Sequence, residues 1–213
     1  VDETRLNNMD SVALDIETVS TVSDPDFSNP AHWIPFAVAV GHSSPSSACS
    51  INVHFRKGES LRAEADLFHD VIDWAASRCN QENRIVISYN GSSYDIPILR
   101  HRARILDDEL GEDLTQRLYF LLDTATHHDL MDDMVEQKGY HVSLDDALSM
   151  HDIEAEEPEW NGEKVTGADM PNFGLELMGG YPDDVNNDLR EVTRRYAASD
   201  VEPLFELHSK LRG

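Results

Sequence analysis

The sequence is short of lysine and of cysteine, and it has no long apolar run. Only Lys57, Lys138, Lys164 and Lys210 are lysine, so arginine carries most of the 17 basic charges. Forty-one acids stand against them, for a formal net charge of −24. One reading of this excess is a protein that keeps away from nucleic acid. The other is adaptation to high salt, where the Debye length falls to ~3 Å at 1 M and self-repulsion is screened. Net charge alone does not separate the two. The two cysteines, Cys49 and Cys79, have neither CxxC nor metal-ligand spacing. They are too few for a disulfide framework and read as free thiols in a reducing compartment, which points to the cytoplasm. No window approaches the ~18 consecutive apolar residues of a membrane span. The chain begins with Val1, and its N-terminal stretch lacks the charged–apolar–small pattern of a secretory signal. Repeats and heptads are also lacking.

A hydrophobic content of 40% is enough for a core, and 213 residues suit one domain over 1–213. Ser11–Thr18, Pro35–Gly41, Ser50–Phe55 and Arg84–Tyr89 are apolar or alternating runs bounded by turn residues and read as strands. Leu61–Arg78 has helical spacing, and helices are predicted from Ile96 to about Leu110 and from Asp184 to Leu211. The stretch 114–135 is mixed, with a strand or strand end near His128–Leu130. Residues 151–183, acidic and rich in Gly and Pro, form an irregular insertion with one short helix. Strands first, then strands alternating with helices, predict an α/β domain with a mixed sheet.

Asp15 and Glu17 are two apart on the first strand and so project from one face. Val12, Ala13 and Leu14 make them the polar end of a buried strand, where carboxylates are costly unless a cation compensates them. Ser88–Leu99 (SYNGSSYDIPIL) ends a strand in an Asn-Gly turn and opens a helix at Asp95. Helix capping alone explains Asp95 but not the whole string. Tyr196 and Asp200 stand one turn apart on the last helix, a spacing that by itself suits a core tyrosine beside a surface acid.

Together, DIET at 15–18, YNGSSYDIPIL at 89–99 and YAASD at 196–200 resemble the exonuclease domain of family B DNA polymerases, within the DEDD 3′→5′ exonuclease superfamily. Tyr94 stands where phenylalanine is commoner. The strings at 128–132 (HDLMD) and 143–145 (SLD) resemble stand-alone, polymerase-B-like exonucleases. The resemblance implies a ribonuclease-H-like fold with a mixed five-stranded sheet flanked by helices. It implies two Mg²⁺ or Mn²⁺ ions held by Asp15, Glu17, Asp95 and Asp200, with Asp15 bridging both. Tyr196 would orient the attacking water, Asn90 would position the terminal nucleotide, and single-stranded DNA ends would release nucleoside 5′-monophosphates. No residue reports on the 2′-OH, so an RNA-trimming exonuclease is the near alternative. A catalytically silent nucleic-acid-binding module of the same fold is the other.

Arg100, Arg102 and Arg104 follow the second string, and Arg190, Arg194 and Arg195 precede the third, a placement suited to phosphate contacts. Arg100 and Arg194 are the chosen substrate contacts; the bland alternative is a solvated helix face. Asp129 and Asp132 are candidate supports of the metal site. His69-Asp70, His128-Asp129 and His151-Asp152 mimic the pairs of HD phosphohydrolases, but those enzymes are helical, whereas this chain opens with strands.

Overall fold

A computed structural model describes residues 10–45, 47–79, 84–179 and 183–212. The polar leader before the first strand and residues 180–182 of the insertion lie outside these. Strands β1 (Asp10–Ser20), β2 (Trp33–Ser44) and β3 (Ser47–Phe55) form an antiparallel meander. Helix α1 (Leu61–Ala76) leads to β4 (Arg84–Ser88), which pairs parallel to β1. Helix α2 (Asp95–Leu110), the short α3 (Leu114–Leu118) and a π-helical turn (Tyr119–Asp123) lead to β5 (Thr126–Asp129), parallel to β4. The sheet order is β3-β2-β1-β4-β5, a mixed five-stranded sheet in an α/β fold, as predicted.

β1 is central, and its alternation sorts side chains to two cores. Val12, Leu14 and Ile16 join the core built with α1–α3. Ala13 and Val19 join the opposite core, beneath α4 (Leu130–Lys138), α5 (Leu144–Met150), α6 (Met170–Met178), α7 (Asp183–Val201) and α8 (Leu204–Arg212). Asp15 and Glu17 fall between Ala13 and Val19 in this alternation, so the second layer of helices closes over them.

Two expectations change. The C-terminal helix is not continuous from 184 to 211: it breaks at 202–203 into α7 and α8. Pro203 has no N–H to donate, and its ring clashes with the carbonyl four residues earlier. The 151–183 insertion is also more ordered than its composition suggests. It contains the hairpin β6 (Glu159–Trp160) and β7 (Glu163–Lys164), followed by α6. At Gly174 an added Cβ would lie 2.5 Å from both Val19 and Phe36, so α6 is seated directly on β1 and β2. Among the described residues no helix is long and apolar enough to cross a membrane.

Candidate metal centre

Asp15, Glu17 and Asp200 meet where β1 passes under α7. Each offers a carboxylate oxygen, and these atoms lie within 4.8 Å of one another. The β1–β2 register slips between Glu17 and Thr18, where Phe36 is the extra residue on β2, so β1 keeps its alternation through the two acids. Glu17 is only 6% exposed, and its Oε1 is buried with no hydrogen-bond partner.

Asp95 reaches the cluster from the first turn of α2. The β1–β4 ladder ends at Ala13↔Ile87, and beyond it the Ile16 amide donates to Asp95 Oδ1 at 3.2 Å. The Asn-Gly turn makes this possible. Asn90 takes a left-handed φ of 64°, which asparagine tolerates. At Gly91 a Cβ would run into Ser88 and stand 3.3 Å from Asp95 Oδ2. Asp129, at the end of β5, holds the turn from the other side. Its carboxylate accepts from the amides of Asn90 (2.7 Å) and Ser92 (2.8 Å), and also caps α4 through Met131 (3.2 Å). Tyr89 adds a brace by donating to the Val142 carbonyl at 2.7 Å, ahead of α5.

Burial and mutual repulsion dominate the electrostatics. Burial pushes Asp95 up to about 7, against the opposing pull of its backbone hydrogen bonds. It likewise pushes Asp200 to about 7, although the Tyr196 hydroxyl donates to that carboxylate. Asp15 and Glu17 are held well above the ordinary carboxylate range, by burial first and then by the neighbouring acids. Burial and the adjacent carboxylates also raise the Tyr196 hydroxyl, so it stays protonated and able to donate. Converging acids with an orphaned, buried Glu17 oxygen fit a divalent cation, because oxygen ligands and neutralising charge are what such an ion needs and supplies.

Three hollows adjoin the cluster. One of about 230 Å³ lies over Asp15, Asp200 and Tyr196, under the start of α5. A second, about 370 Å³, opens from Tyr196 and Asp200 toward Lys164 and Thr166 of the insertion. A third, about 730 Å³, runs from Glu17 and Asn90 between Trp33 and Met170. Gly167 borders both larger hollows, and a Cβ on it would stand 3.4 Å from the Tyr196 hydroxyl. The insertion therefore forms part of the cleft wall.

Most of the arginines beside the motifs are occupied elsewhere. Arg100 pairs with Asp123 at 2.5 Å. Arg194 reaches Glu191 at 3.2 Å and lies 5.4 Å from the centre of the Phe55 ring, beside Arg190. Arg102 is buried in a bidentate pair with Glu64, at 2.6 and 2.7 Å. Arg195 pairs with Glu156 of the insertion, and Arg104 is exposed. Asn90 does line the cleft. Asp129 acts on the site through the backbone of the turn, while Asp132 is exposed. The three His-Asp pairs do not converge: His69 meets Glu112, His128 meets His208, and Asp152 sits in a left-handed turn. The sequence reading passed over Asp145. It borders two of the hollows, and its charge raises Asp200. The SLD string contained the signal, but only the fold brings α5 against α7.

Comparison with family models agrees with this architecture. A family model described as the RNase H superfamily matches residues 40–212. No curated protein matches the chain. Among solved structures, E. coli exonuclease I in complex with a 5cy-dA13 oligonucleotide is 14% identical at a TM-score of 0.46, covering 96% of this chain and 40% of that one. Exonuclease I from Methylocaldum szegediense is 13% identical at a TM-score of 0.47, covering 96% of this chain and 40% of that one. This chain thus spans less than half the length of those proteins. The family match runs from the end of β2 through β3, β4, β5 and the helices that close over β1, and the chain belongs to the RNase H superfamily.

Proposed function

We propose that the chain is a 3′→5′ exonuclease that releases nucleoside 5′-monophosphates from single-stranded DNA, working as one domain with the insertion as part of its cleft. The observation that carries this reading is the gathering of Asp15, Glu17 and Asp200 within 4.8 Å, with Asp95 tied to the same strand. Three sequence strings far apart in the chain supply these acids, in the order of the DEDD exonucleases. A silent module would have no use for acids that raise one another's proton affinity.

In this reading Asp15, Glu17 and Asp200 would hold one Mg²⁺ or Mn²⁺, and Asp15 with Asp95 would hold a second. When bound there, such cations would supply an activated water and neutralising charge for the phosphate. The chain's own residues do the rest. Tyr196, protonated and held by Asp200, orients the attacking water. Asn90 positions the terminal nucleotide from the cleft wall. The turn braced by Asp129 keeps Asp95 in place through turnover.

The test uses single-stranded DNA labelled at either end, with a Mg²⁺ and Mn²⁺ titration. Labelled mononucleotide should appear first from the 3′-labelled strand, only with cation, and Asp15→Ala should abolish it. Near-parental activity in a contaminant-free Asp15→Ala preparation would refute the site. RNA of the same sequence, run in parallel, would displace the DNA reading if it were degraded faster.

A further inference from the structure

We infer that His128 and His208 form a site for a divalent transition-metal ion of the Ni²⁺ or Cu²⁺ kind, separate from the carboxylate centre, which clamps the C-terminal helix onto the sheet. The inference does not depend on the exonuclease reading. His128 stands on β5 and His208 on α8, 80 positions later. Yet His128 Nδ1 lies 2.7 Å from His208 Nε2, with the ring centres 5.0 Å apart and the planes tilted by 30°. Both residues are half-buried, so the pair is held by packing and still reachable from solvent.

A hydrogen bond between two neutral imidazoles uses one N–H and one lone pair. A cation replaces that bridge by taking a lone pair from each facing nitrogen. The displaced hydrogen moves to the far nitrogen of its own ring, so both imidazoles stay neutral and no net proton is released. The rings are prepared for this. Burial, and then the Arg212 charge, hold His128 below its ordinary range. Burial, the facing His128 ring and Arg212 push His208 down to about 4.

The separation of the nitrogens selects the class of ion. Metal–imidazole bonds of ~2.0–2.1 Å place two nitrogens about 2.9 Å apart at a right angle and about 3.3 Å apart at a tetrahedral angle. The observed 2.7 Å is closer to the right angle, the arrangement of square-planar and tetragonal Ni²⁺ and Cu²⁺ sites, and imidazole suits both ions. Asp133, in the first turn of α4, supplies an oxygen nearby. Its charge acts on His128, and its carboxylate accepts from Arg212 Nη2 at 2.7 and 3.0 Å. Arg212 follows His208 by one turn of α8. Its release from Asp133 frees that oxygen for the ion and withdraws a positive charge from both rings, and water fills the remaining positions.

The test is titration and melting of the untagged full chain with Ni²⁺ in excess Mg²⁺, which reserves the carboxylate centre. One Ni²⁺ should bind per chain, and at about 100 times Kd the melting temperature should rise by roughly 5–10 °C. His128→Gln and His208→Gln should each abolish that rise. Electron paramagnetic resonance of the Cu²⁺-loaded parent, again in excess Mg²⁺, should show coupling to two nitrogens, a readout that needs no variant to fold. Coupling to fewer than two nitrogens, no Ni²⁺ binding, or a rise that survives in His208→Gln would overturn the inference and leave the exonuclease reading untouched.

Discussion

The Ile16 amide donates to the Asp95 carboxylate at the point where β4 has stopped pairing with β1. The side chain of a helix's first residue thus takes the next rung of a parallel ladder, and two distant sequence strings become one rigid unit. Any displacement of α2 would carry Asp95 away from Asp15 and Glu17 together.

Asp95 makes the stability of the metal-free protein depend on pH. Its folded pKa of about 7 lies above the ordinary carboxylate value, so the native state binds more protons than the unfolded state between about pH 4 and 7. The contribution of this group to stability is greatest at low pH and falls as pH rises through 7. Asp95→Asn should therefore gain on the metal-free parent as pH rises, by about 1–4 kcal/mol at pH 8. Mg²⁺ should raise the parent's melting temperature more than the variant's. Urea denaturation at pH 4.5 and 8, with EDTA or Mg²⁺, checks this; a difference independent of pH would contradict it.

Tyr196→Phe should keep cation affinity nearly unchanged and lower the exonuclease rate by about 10²–10⁴, the usual range for a positioned proton or water contact. Isothermal titration with Mn²⁺ separates the two quantities. Equal rates for variant and parent would make Tyr196 a packing residue.

Asp129→Ala removes the acceptor for three backbone amides. It should cost roughly 2–4 kcal/mol of stability and weaken cation binding, because the turn before Asp95 is no longer held. The exposed Asp132→Ala should change stability by less than about 0.5 kcal/mol. Similar effects from the two substitutions would deny Asp129 its role in the turn.

The charge of −24 predicts a response to salt. Screening relieves acidic self-repulsion, and with the arginines beside the motifs mostly engaged by acids, little binding is exposed to counterion competition. Melting temperature and exonuclease rate should both rise from dilute buffer toward molar KCl at fixed Mg²⁺. Greatest stability and activity at low salt would count against adaptation to high salt.

Much of the fold could be read locally. Apolar runs and the Asn-Gly turn placed β1 and β4 within a few residues, and the spacing of Leu61, Phe68 and Ile72 placed α1. The break at Pro203 is equally local, because a proline interrupts the helix where it stands. The gathering of Asp15, Glu17 and Asp200, with Asp95 tied to the same strand, was foreshadowed by short strings far apart in the chain. What the sequence by itself determined is therefore which residues are acidic, which face of β1 they share and where the chain must turn. Tertiary structure decided the rest. Arg102 and Arg194 looked like phosphate ligands until packing showed them against Glu64 and Phe55. Charge belongs to the residue, but partnership is settled by distance, and between residues tens of positions apart only the folded sheet and its two helix layers set that distance.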